Sequence, residues 1–129
     1  MAGIEKQNFE STTDIRAFKA DKGEMRVVEL EGKAVGLATF KPGWHWSDHV
    51  KPIAGTDTCQ THHTGYLVSG HMTVRMDDGT EENFDPGDVM NVLPGHDAWV
   101  VGQEPCVVLD WLGGANYAKP GAATQQAKA

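Results

Sequence analysis

Four of the six histidines in this 129-residue chain, His45, His49, His62 and His63, fall in one short window that also holds Trp44, Trp46 and Cys59. His96 lies further on, beside a Pro-Gly pair. Imidazole binds divalent first-row metals well, and a site needs three or four ligands converging from different elements. His49, the His62-His63 pair and His96 each stand at a predicted turn or strand end, with Cys59, Asp48, Asp57 and Asp97 nearby. Alternate side chains share one face of a strand, so at most one of His62 and His63 points inward. If residues 44–49 are extended, His45, Ser47 and His49 share one side, and Trp44, Trp46 and Asp48 the other. Clustered histidines also cap turns or hydrogen-bond backbone with no metal at all. His71 follows Gly70 at a bend and is expected at the surface. Cys59 lies in a polar segment and suits a ligand or a reactive thiol, whereas Cys106, inside CVVLDWL, reads as a small core residue.

Groups so far apart in sequence converge only on a framework of strands. The 15 glycines and 6 prolines are spread through the middle of the chain and leave little room for long helices. Residues 25–40 predict two strands around the turn Glu31-Gly32-Lys33. From His71 the pattern alternates, with Met72, Val74 and Met76 on one face and Thr73 and Arg75 on the other. Residues 89–93, 98–101 and 106–112 are short apolar runs separated by Pro94-Gly95 and Glu104-Pro105. Many short strands with Gly/Pro turns predict an all-β sandwich or barrel over residues 25–112. Residues 1–24 form a polar extension with one short helical candidate, Thr12 to Lys19. Residues 113–129 are small and polar and predict a loose tail.

One hundred and twenty-nine residues suffice for one domain. Net charge is −7, with 11 Lys+Arg against 18 Asp+Glu. With no basic cluster to neutralise phosphates, nucleic acid is not an expected partner. No run approaches the ~20 apolar residues of a membrane span, and the first residues lack an apolar signal core. A cytoplasmic protein with two reduced thiols is expected. Asp77, Asp78, Glu81 and Glu82 read as a solvated hairpin tip, since no EF-hand spacing accompanies them. Trp99 and Trp111, in strand-like runs, predict core or interface positions. No Gly-x-Ser-x-Gly elbow, phosphate loop or dinucleotide fingerprint occurs.

From about residue 35 to 112 the chain resembles the cupins, small β-barrels with two motifs, G-x5-H-x-H-x(3,4)-E-x6-G and G-x5-P-x-G-x2-H-x3-N. Gly43 is followed after five residues by His49, as in the first motif. Lys51 occupies the second His position. His63 occupies the Glu position, six residues before Gly70, and the gap from Lys51 to His63 is longer than usual. In the second motif Pro86-Gly87-Asp88 and Gly95 match. Leu93 stands where Pro is usual, Ala98 takes the His position with His96 two places earlier, and Gly102 replaces Asn. WSDHVKP, HHTGYLVSG and PGHDAWVVGQEP are similar to a subgroup of small single-domain cupins without a defined activity.

The resemblance implies a double-stranded β-helix, or jelly-roll, barrel that pairs as a homodimer. It implies that His49, His63 and His96 meet near one mouth and hold Zn, Fe, Mn or Ni, with open positions for water or substrate. Cys59 could add a ligand, and Asp97 could orient an imidazole. Lys51 could pair an anionic substrate, although lysine before Pro52 in a loop is more simply a solvated side chain. Trp44 and Trp46 could line a pocket for a flat or apolar ligand, or cover the outer sheet or a dimer contact. The expected function is a metal-dependent enzyme, of oxygenase, isomerase or hydrolase type, acting on a small organic molecule. The alternative is a metal-free module that binds or senses a small ligand. A third reading is a plain oligomerisation unit for a pathway partner.

Overall fold

A computed structural model describes residues 3–112 together with 117 and 118. Its strands, in chain order, are β1 (Asp14–Ala17), β2 (Gly23–Leu30), β3 (Lys33–Phe40), β4 (His63–Ser69), β5 (Met72–Met76), β6 (Glu81–Phe84), β7 (Val89–Val92), β8 (His96–Val100) and β9 (Cys106–Asp110). Two single-turn helices, α1 (Trp46–His49) and α2 (Lys51–Ala54), join β3 to β4. All pairings are antiparallel. One sheet has the order β1-β2-β3-β9-β4-β7 and the other β6-β5-β8. The all-β expectation therefore holds. Among the described residues no helix is long and apolar enough to cross a membrane.

Local chemistry explains the hairpins. Leu30 pairs with Lys33 across a two-residue turn. Both Glu31 (φ 54°) and Gly32 (φ 76°) take positive φ, the conformation that matches the twist of the flanking strands. Gly70, between β4 and β5, combines φ +80° with close approach. A Cβ there would lie 2.4 Å from the Pro105 carbonyl oxygen and 2.6 Å from Cys106 Cα. Gly70→Ala is expected to cost about 3 kcal/mol, from backbone strain plus overpacking. Urea unfolding checks this, and a loss below about 0.5 kcal/mol would contradict the packing.

The core lies between the sheets and follows period two. On β4, Gly65 and Leu67 are buried while Tyr66 and Val68 are exposed. On β8, His96, Ala98 and Val100 are buried, and on β9, Cys106, Val108 and Asp110. Met72 and Val74 of β5 face the same interior, as their alternation predicts, but Thr73 is buried as well. An aromatic cluster closes one end: Phe18 stacks on Phe40 at 5.3 Å, and Trp44 tilts against Phe40 at 4.3 Å.

Two expectations need correction. The helical candidate over residues 12–19 contains strand β1, which pairs with β2 from Asp14–Val27 to Ala17–Glu24. Eight residues are too few to hold an isolated helix, and the open edge of β2 offers a full ladder of backbone partners. Residues 44–49 are not extended, because the chain turns into α1 at Trp46. Trp111, 45 % exposed, lies outside the core, which leaves an interface as the expected place for it. Of the tail, residues 113–116 and 119–129 lie outside the described residues. Tyr117 and Ala118 are buried, and Arg16 Nη1 donates to the Tyr117 carbonyl at 2.9 Å.

Candidate metal centre at the barrel wall

Two sheets packed face to face leave an apolar cavity of about 50 Å³ between them. Met25, Phe40, Met72, Val74, Met90 and Val108 form much of its wall, and His63, His96 and Asp110 contribute its polar groups. Strand parity puts them there. His63 continues the inward set of Gly65 and Leu67, His96 begins that of Ala98 and Val100, and Asp110 ends that of Cys106 and Val108. His62 points the other way and meets Asn91 Oδ1 at 2.7 Å. Asp110 is paired in register with Gly65. A Cβ at Gly65 would lie 2.3 Å from the Leu109 carbonyl oxygen, so β4 and β9 approach more closely there than any side chain allows.

Cys59 reaches the same point from the segment before β4. It forms an isolated bridge with His96, its N–H donating to the His96 carbonyl at 2.7 Å while its own carbonyl accepts from Gly95 at 2.8 Å. The potential ligand atoms of Cys59, His63 and His96 all lie within 4.8 Å of one another. Cys59 Sγ and His63 Nε2 are 3.7 Å apart. Two ligands of a tetrahedral zinc are separated by roughly 3.5 Å, given bonds of about 2.0–2.3 Å.

The rest of each imidazole is already engaged. His63 Nδ1 donates to Asp110 Oδ2 at 2.5 Å, and His96 Nδ1 donates to the Leu93 carbonyl at 2.7 Å. Both rings therefore have Nε2 as their remaining nitrogen, the second-sphere arrangement that orients ligating histidines. Asp110 is held in turn by the Leu112 N–H, 3.1 Å from Oδ1. Burial opposes charge on His63, but the Asp110 carboxylate outweighs it and raises the imidazole to about 10. Burial would also raise the Cys59 thiol, yet hydrogen bonds and charge from His63 and His96 bring it down to about 6. Cys106, by contrast, is pushed up to about 12 by burial. Neither cysteine forms a disulfide. Tyr117 closes the group edge-on, 5.0 Å from the His63 ring, and burial holds its phenol well above the usual range. A thiolate and two imidazoles with oriented Nε2 atoms suit a divalent ion and leave a position open for water or substrate.

Of the other sequence candidates, only the two tryptophans reach the cavity. His49 lies on α1, where its Nδ1 takes the backbone N–H of His45 at 3.0 Å, so it serves its own helix turn and is not in the group of three. The short helix carries it away from the face that extended geometry would have given it. Asp97 does hold an imidazole, but that of His45, at 2.9 Å. Lys51 does not line the cavity. Its Nζ is 3.7 Å from the exposed Asp57 carboxylate. Trp44 and Trp46 both line the cavity, at 2 and 1 % exposure, which excludes the outer sheet as their place. His71 is at the surface, 2.7 Å from Asp85. Asp110 is the functional candidate that sequence reading missed. The signal was there, since a lone carboxylate in the apolar run CVVLDWL must find a partner once buried.

Two antiparallel sheets closed over such an interior form a jelly-roll barrel, a fold this chain shares with several solved structures. No protein-family model matches the chain, and no curated protein matches it by sequence. Ectoine synthase from P. lautus superposes with a TM-score of 0.57 at 15% identity, over 88% of this chain and 83% of that one. KdgF from Halomonas sp. gives 0.54 at 18%, over 84% and 94%. A protein of unknown function from Acinetobacter sp. ADP1 gives 0.57 at 16%, over 84% and 90%. At these identities the likeness is one of fold.

Proposed function

We propose that Cys59, His63 and His96 hold one divalent metal ion and that the protein is a metal-dependent enzyme acting on a small organic molecule in the barrel cavity. The observation that carries this reading is the convergence of three ligand atoms within 4.8 Å, with both imidazoles oriented through Nδ1. Thiolate and imidazole together favour zinc over the harder ions. A bound ion would polarise an oxygen of the substrate or lower the pKa of a bound water. The chain's own residues supply the rest. Asp110 keeps the Nδ1 proton of His63 in place, the Leu93 carbonyl does the same for His96, and the apolar wall excludes bulk water. One fold hosts unrelated reactions, so the likeness to ectoine synthase is consistent with an enzyme and selects no reaction.

Elemental analysis of untagged protein never exposed to chelator tests this. About one metal ion per chain is expected, mostly zinc. His96→Ala is expected to fall below about a tenth of that, while His49→Ala keeps it, because His49 is outside the ligand group. Substoichiometric metal after anaerobic reloading would return the site to the metal-free reading. In that case Cys59, His63 and Asp110 form a buried charged relay beside a ligand cavity.

A further inference from the structure

Cys59 and His96 are 2 and 3 % exposed and His63 is half-buried, so an ion bound there needs a way in. The two sheets offer one where they are not joined. β6 is an edge of the smaller sheet and β7 an edge of the larger, and among the described residues no ladder pairs them. A groove of about 360 Å³ runs between these edges, lined by Glu81, Glu82 and Phe84 of β6 and by Asn91 and Val92 of β7. Val74 and Val92, both buried, line this groove and the cavity alike, so two valine side chains stand between them. Both histidines lie immediately behind. Val92 is the register partner of His63, and Met76, also on the groove, is that of His96. Side chains directly opposite each other in antiparallel strands are about 5 Å apart.

The rival opening is more firmly closed. A second groove, of about 310 Å³, shares only Trp44 with the cavity. The Trp44 ring is packed on Phe40 at 4.3 Å, and its carbonyl accepts from the Val100 N–H at 3.0 Å. Passage there displaces a large buried ring that its own backbone holds in place. At the seam two valines need only change rotamer, since no backbone hydrogen bonds tie β6 to β7 among the described residues. Glu81 and Glu82 make the rim acidic, which suits the approach of a cation. Resting on the reading of Cys59, His63 and His96 as ligands, we infer that the β6–β7 seam is the entrance to the cavity, through which the metal ion comes and goes, with Val74 and Val92 as its gate.

The test follows zinc exchange in the full chain. A gate sets rates and leaves the equilibrium alone, so loading and release must change together. Val74→Ala and Val92→Ala are each expected to speed both about tenfold while Kd stays within about threefold. Val100→Ala removes the same two methyl groups from a buried residue on the rival groove, and its rates are expected to stay within about twofold. If neither seam variant accelerates exchange, or Val100→Ala does so equally, the inference is overturned. A second measurement needs no variant and so stands even where one fails to fold. Two rotating side chains expose little surface, so zinc release from the unmutated protein to excess EDTA is expected to be flat in urea below the unfolding transition. Release that climbs with urea means that the barrel itself opens, and overturns the inference. Stoichiometric zinc with rates indifferent to Val74 and Val92 sinks only the seam. A chain that takes no zinc sinks the metal reading, and the seam is then judged by the rate at which methyl methanethiosulfonate modifies Cys59, beside His63, in the same three variants. The same order of rates is expected there, and equal rates overturn the inference.

Discussion

Asp110→Ala is expected to lower stability by about 3–5 kcal/mol and to weaken metal binding about 10- to 100-fold. Asp110 is 3 % exposed and meets the half-buried His63 inside the barrel, so deleting the carboxylate strands an imidazole whose Nδ1–H has no second acceptor among the described residues. The Leu112 N–H loses its acceptor as well. For a domain of this size the stability loss corresponds to roughly 10–20 °C in Tm. Asp110→Asn separates the two effects. An amide oxygen can still accept from Nδ1, so most of the fold's stability is kept. Without the negative charge His63 is a weaker ligand, and an affinity loss of about tenfold is expected to remain. Calorimetry on metal-free protein and chelator competition on loaded protein read the two quantities independently. The affinities are compared near pH 10, where His63 has largely lost its proton and proton competition no longer offsets the ligand effect, and an Asp110→Asn chain with unchanged affinity there would show that His63 does not ligate.

Metal affinity is also expected to climb steeply with pH, by about a thousandfold between pH 6.5 and 9.5, at tenfold per unit for each proton displaced. The sign follows from the two shifted groups. In the metal-free protein Cys59 is already a thiolate above about 6, so it releases no proton on binding at neutral pH. His63 stays an imidazolium up to about 10 and must give up its Nε2 proton to ligate, while Nδ1–H remains on Asp110. One proton is therefore displaced between about 6 and about 10. Below about 6 the thiol must ionise too and the slope doubles, and above about 10 it flattens. Competition with a chromophoric chelator, corrected for the chelator's own protonation, gives the slope, and proton release into weak buffer gives the stoichiometry. A flat profile between pH 7 and 9 would remove His63 from the ligand set.

Where the amino-acid pattern acts locally, it is readable. The turn at Glu31-Gly32, the alternation from Met72 to Met76 and the short runs bounded by Pro94-Gly95 and Glu104-Pro105 each appear as the expected hairpin, strand or connection. Period two and positive φ are properties of neighbouring residues, so the chain states them directly. Residues 12–19 and 44–49 depart from their local pattern because their conformation is settled from outside. An open strand edge captures the first as β1, and the step from β3 toward β4 coils the second into a helical turn.

The site divides along the same line. Sequence alone determined that His63 and His96 belong to a jelly-roll barrel with Cys59 close by, and that only one of the adjacent pair His62 and His63 could face inward. Only the tertiary structure decided that the inward residue is His63, that Cys59 is a member of the group and His49 is not, and that Asp110 orients the ring. Those outcomes depend on the register between β4 and β9 and on the bridge between Cys59 and His96, which bring together residues up to 47 positions apart. A contact over that span is set by which strands become neighbours in the sheet, and no local preference encodes it.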